Sequence, residues 1–125
     1  MGTSFGGGTI PSANVVKSSD FVLMHGNGVS DPARIAAMVD KVRAMEGFEQ
    51  KPILFNEDDH YNFDKDENNF TSAVRSHASW GFFDFRREGE PFTDGYQSMP
   101  ASWKTDSQRK ISFFTLLKEI TGGNK

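Results

Sequence analysis

The chain has 125 residues, no cysteine, and 14 Lys plus Arg against 17 Asp plus Glu, for a net charge of -3, which is enough for one domain and not two. Disulfides, Cys-based zinc sites and Cys nucleophiles are excluded, and mild acidity without a Lys/Arg cluster argues against a nucleic acid or an anionic membrane as the main partner. No apolar run approaches the roughly 18 residues of a membrane span. Gly2 and Ser4 follow Met1 where a signal peptide would carry a basic region and an apolar core, so the chain reads as soluble.

Residues 1–19, with Gly6, Gly7 and Gly8 in a row and Pro11 after them, show no apolar period and are expected to form an extended lead-in. The glycine triplet has neither a Lys-Ser/Thr ending nor a preceding strand, so a flexible turn is expected there and not a phosphate cradle. From Asp20 the pattern sharpens. Phe21, Val22, Leu23 and Met24 form a short apolar run closed by His25-Gly26-Asn27-Gly28, as in a strand buried on both faces. Asp31 then supplies an N-cap and Pro32 a first helical position, and Ile35, Met38, Val39, Val42 and Met45 follow at helical spacing up to Gly47.

The same succession repeats. Pro52 to Phe55 predicts a second buried strand ending in Asn56-Glu57-Asp58-Asp59-His60, and Glu67 to His77 a shorter helix with Phe70, Ala73, Val74 and His77 on one face. Trp80 to Phe85 predicts a third strand, followed by a long loop. Asp106 or Thr105 would cap a last helix whose Ile111, Phe114, Leu117 and neighbouring Phe113, Leu116 and Ile120 face a core, stopped by Gly122-Gly123. Residues 20–121 therefore read as three βα units with parallel strands, between the Gly-rich lead-in of residues 1–19 and a tail of residues 122–125. At roughly 30 residues per unit and about 250 for a full (βα)8 barrel, this is a partial barrel.

In a parallel α/β sheet the ligand site lies beyond the carboxyl ends of the strands. Those ends supply His25 and Asn27 from the first strand, Asn56, Glu57, Asp58, Asp59 and His60 from the second, and Asp84 from the third. Four adjacent ionisable groups at a buried strand's mouth interact strongly enough to mark a functional site. His25 can equally be a satisfied loop histidine, and Asp84 a partner of Arg86 or Arg87. Trp80 offers an aromatic plate suited to the apolar face of a sugar ring, whereas Phe83 suits core packing. Gln97, Ser98 and Trp103 of the long loop either line a cleft or close the loop over the core. His25, His60 and the acids are of metal-ligating type, but no His-Glu-x-x-His spacing is present, so no metal and no cofactor is expected.

Lys51-Pro-Ile-Leu-Phe-Asn-Glu57 followed by Ala78-Ser-Trp-Gly-Phe-Phe-Asp84 resembles the last strands of a TIM-barrel glycoside hydrolase of the large retaining clan. Together with His25-Gly-Asn-Gly28 and Asn56-Glu-Asp-Asp-His60, the text also resembles uncharacterised bacterial proteins grouped with the glycoside hydrolases, in which this stretch is the C-terminal part of a longer chain. The resemblance implies a nucleophile at Glu57, which would end the seventh strand, a sugar-stacking platform at Trp80 on the eighth, and a closing helix over Arg109 to Ile120. The Asn56-Glu57 pair departs from that pattern, since in this clan Asn-Glu marks the acid/base on the fourth strand. Strands one to five are missing, and with them the partner carboxylate, for which this chain offers Asp58, Asp59, Asp84 or Asp20.

The expected function is hydrolysis of O-glycosidic bonds by a carboxylate pair that includes Glu57, with Asp59 or Asp84 as second carboxylate and His25, Asn27, Asn56, His60 and Trp80 binding the carbohydrate. Three strands leave open sheet edges, and 12 Phe residues supply apolar surface, so a homo-oligomer is expected to complete the site. The alternatives are a non-catalytic carbohydrate-binding or structural barrel fragment, and a metal-dependent hydrolase built on His25, Asp58, Asp59 and His60.

Overall fold

The computed structural model describes residues 1–91 and 104–122. These fall into two compact units, Met1–Phe83 and Asp84–Lys125. Gln97, Ser98 and Trp103 lie outside the described residues.

The first unit contains α1 (Ala13–Ser18), β1 (Val22–His25), α2 (Pro32–Arg43), β2 (Ile53–Glu57), α3 (Asn69–Arg75) and β3 (Ser79–Trp80). The strands form an open parallel sheet in the order β1-β2-β3, as expected of consecutive βα units. Val22 pairs with Ile53 and Met24 with Phe55, and all four side chains are buried. They share the core with Ile35, Met38, Val39 and Val42, the stripe of α2 that the sequence predicts. Removing a ring such as that of the wholly buried Phe55 would cost about 3–5 kcal/mol.

Helix α2 starts as expected, with the Asp31 side chain accepting from Ala33 N at 3.0 Å and Pro32 in the first turn. Helix α3 is shorter than Glu67–His77 because its start is fixed by a capping box, in which Asn68 accepts from Thr71 N and Thr71 Oγ1 accepts from Asn68 N. The lead-in is not extended throughout, since it holds α1. A helix of six residues does not stand alone. Val16 anchors it in the core, and Lys51 Nζ donates to the carbonyls of Val16, Lys17 and Ser19 at its C-terminus.

The third strand is far shorter than Trp80 to Phe85. Gly81 N still bonds Phe55 O, but Phe83 N bonds the Asp58 carbonyl, so the chain leaves the sheet after Trp80. The aromatic residues there serve a ring cluster: Phe82 stacks on Trp80 with centroids 6.3 Å apart and meets Tyr61 and Phe63 edge-on.

The second unit carries α4 (Gln108–Ile120), capped by Ser107 rather than by Asp106 or Thr105. Its buried residues are Lys110 and Phe113, whereas Ile111, Phe114 and Ile120 are exposed. Phe113 is buried as expected, but Ile111, Phe114 and Ile120 are not, and Lys110 lies instead beside the buried Asp84 carboxylate at 3.7 Å. Among the described residues no helix is long and apolar enough to cross a membrane.

Candidate active site

The carboxyl ends of β1 and β2 meet at an irregularity. Met24 pairs with Phe55, but His25 pairs with Glu57, so Asn56 is an extra residue in β2. A bulge of this kind re-aims the side chains that follow it. Gly26 N closes the pairing on the Glu57 carbonyl at 2.7 Å. Glu57 Oε2 lies 3.8 Å from His25 Nδ1, and the Glu57 side chain is 41% exposed. The structure thus brings together two sequence-predicted residues and leaves the carboxylate open to a ligand.

Asp58, the next residue, has the opposite environment. It is wholly buried. Its Oδ1 accepts from His60 N at 3.0 Å and lies 2.8 Å from His60 Nδ1, while Oδ2 accepts from Asn69 Nδ2 at 2.9 Å and Trp80 Nε1 at 3.0 Å. Asn69 Nδ2 also donates to Val29 O at 2.8 Å. One carboxylate therefore ties the loop after β1, the start of α3 and the end of β3 to the mouth of β2. Charge-assisted bonds of this sort offset the burial of the carboxylate, which unpaired would be strongly destabilising. Sequence reasoning missed this role and missed Asn69 altogether. The available signals were the Asn68-Asn69 helix start and Gly26, whose lack of a side chain admits Asp58.

Asp59 is a quarter exposed, with Oδ1 3.2 Å from His60 Nδ1. One oxygen of Asp58, one of Asp59 and a ring nitrogen of His60 lie within 4.8 Å of one another, which is ligand-like spacing. Both Asp58 oxygens, however, already accept from N–H donors, Oδ1 from His60 N and Oδ2 from Asn69 Nδ2 and Trp80 Nε1. Trp80 is partly exposed, with Phe70 and Phe63 against its ring at 5.2 and 5.8 Å between centroids and its N–H spent on Asp58.

His25 Nε2, Asn27 Oδ1 and Asn56 Oδ1 are buried polar atoms with no hydrogen-bond partner among the described residues. The glycine triplet closes over this end of β1: Gly8 N donates to His25 O, Arg34 Nη2 holds Gly8 O, and a Cβ on Gly7 would lie 2.4 Å from Asn27 O. It is a turn, as expected, but one packed against Asn27 and held by Arg34 rather than a flexible one.

Asp84 belongs to the second unit. Neither Arg86 nor Arg87 holds its carboxylate. Arg109 Nε does, and the Arg109 Nη1 reaches Glu90 Oε1 at 2.6 Å. Burial alone would lower the Arg109 pKa, but hydrogen bonds and charge from Glu90 and Asp84 raise it above the ordinary value.

An open cleft of roughly 700 Å³ lies at the other end of β2, lined by Arg43, Phe48, Gln50, Lys51, Ile53 and His77 among others. Among the described residues no carboxylate lines it, so it does not fit the chemistry of the strand mouths. No protein-family model, curated protein or solved structure matches the chain.

Proposed function

We propose that the carboxyl end of the sheet is a glycoside-cleaving site with Glu57 as its nucleophile, completed by a second copy of the chain. The observation that carries this is the open Glu57 carboxylate beside His25, on strand ends whose His25 Nε2, Asn27 Oδ1 and Asn56 Oδ1 are buried and have no partner among the described residues. Buried polar atoms need partners, and a polyhydroxyl ligand supplies several O–H groups at once. The neighbouring Asp58 is consumed by N–H donors, which makes Glu57 the reactive member of the adjacent pair.

In the reaction Glu57 attacks the anomeric carbon as a second carboxylic acid protonates the leaving oxygen. Water then cleaves the glycosyl ester, the second group now acting as base. Asp59 or a carboxylate of the second copy supplies that group at about 5–5.5 Å. The barrel that the resemblance implies is likewise part of this proposal, with the open edges of the three-stranded sheet joined by the partner copy.

A panel of 4-nitrophenyl glycosides tests the reading. Glu57→Gln abolishes turnover while its circular dichroism and unfolding midpoint stay those of the parent, and retained activity refutes the assignment. A monodisperse monomer in light scattering that still turns over the panel refutes completion by a second copy. Sugar binding in calorimetry with no turnover identifies a carbohydrate-binding module instead.

A further inference from the structure

Asp58 and His60 carry an inference that rests on the proposed glycosidase. An ionised carboxylate only accepts hydrogen bonds. The His60 ring nitrogen 2.8 Å from Asp58 Oδ1 therefore carries a hydrogen, and in the neutral imidazole Nε2, on the other side of the ring, carries a lone pair. Asp58 cannot rotate to follow the ring, because Asn69 and Trp80 hold its other oxygen. The same Oδ1 also takes the backbone N–H of His60, so one atom fixes both the main chain and the ring of that residue. His60 itself is mostly buried, with 19% of its side chain exposed, and follows the end of β2 by three residues.

We propose that Asp58 is a positioning residue that fixes His60 in its Nδ1–H tautomer, so that Nε2 accepts a hydrogen bond from a hydroxyl of the glycoside bound at Glu57. Asp59 is the rival holder of the same N–H, at the longer 3.2 Å. The two are separable. Asp58→Asn places an amide opposite Nδ1 that can turn its own donor toward the ring and convert Nδ1 into an acceptor, moving the proton to Nε2. Asp59→Asn leaves the Asp58 bond intact.

The test uses the ¹⁵N-labelled full chain at alkaline pH, where imidazoles are neutral. The chain has three histidines, so a His60→Gln spectrum assigns the His60 ring signals. Two-bond proton–nitrogen correlations show Nδ1–H in the parent and in Asp59→Asn, and Nε2–H in Asp58→Asn. The latter also loses about tenfold in kcat/KM on the 4-nitrophenyl glycosides, the scale of one hydrogen bond. An Nε2–H parent, or a tautomer that follows Asp59 and ignores Asp58, overturns the proposal. Should Asp58→Asn fail to fold, the parent and Asp59→Asn spectra still decide it. Absence of turnover by the parent refutes the glycosidase and the hydroxyl assignment together, while the tautomer independently decides what Asp58 holds.

Discussion

Asp58 sits directly against the Cα of Gly26: a Cβ built there would lie 2.0 Å from Asp58 Oδ2 and 2.4 Å from its Cγ. No rotation of a methyl group relieves such an approach. The Gly26→Ala variant must push the carboxylate off Asn69 and Trp80, or part β1 from β2, where Gly26 N bonds Glu57 O. We expect it to destabilise the first unit by about 3 kcal/mol, the upper end of the range for overpacking. Urea unfolding followed by Trp emission measures this, and a change below about 1 kcal/mol would show that the two residues do not meet as described.

Asn69 ties that hub to the start of α3, and the residue before it, Asn68, caps the helix. The helix has only seven residues, so its reciprocal cap with Thr71 is a large part of its local stability. Asn68→Ala removes the acceptor for Thr71 N and should cost about 1–2 kcal/mol. Hydrogen exchange at the Thr71 amide should rise along with exchange across α3, and exchange confined to Thr71 would mean that the cap does not support the helix.

What the residues disclosed in advance follows the range of the interactions involved. Helix α2 is legible because Asp31, Pro32 and the Ile35-Met38-Val39-Val42 stripe lie within one segment and act locally. Parallel strands were legible at β1 and β2 from their apolar runs. The run from Trp80 to Phe85 misleads because its rings face Tyr61 and Phe63 rather than a sheet partner, and apolarity alone does not distinguish these. Helix α1 depends on Lys51, more than 30 residues away, so nothing in its own segment announces it. At the site, the carboxylate cluster was visible as composition. The division of labour between an open Glu57 and a buried Asp58 was not, because it is set by Gly26, Asn69 and Trp80, all distant in sequence.

The buried lysine of α4 follows from the same long-range logic. Asp84 and Lys110 are both about 1% exposed, and Arg109 supplies the closer cation. Arg109→Met leaves a buried carboxylate with only Lys110 at 3.7 Å, and should destabilise the second unit by about 3–4 kcal/mol. Adding Asp84→Asn removes the uncompensated charge, so the double variant should be more stable than Arg109→Met alone. Denaturant midpoints for the four proteins of this cycle decide it, and strictly additive losses would show that the pair is not coupled.

Glu90 gives the second unit a pH dependence of definite sign. Burial pushes its carboxyl up, but the Arg87 backbone N–H and the Arg109 guanidinium outweigh burial and bring it below its ordinary value of 4.5. A carboxyl depressed in the folded state binds its proton more readily when unfolded, so its contribution is complete above the unfolded value and disappears as pH falls through the folded one. The second unit should therefore lose stability as the pH drops below about 4.5, and Glu90→Gln should flatten that slope. Arg109 stays charged throughout this window, its pKa being raised from an already high value, so the slope belongs to the acids. Unfolding midpoints of the parent and Glu90→Gln at about pH 6 and about pH 3 provide the check, since the gap between them should be smaller at the lower pH. Equal separation at both values would remove Glu90 from the account.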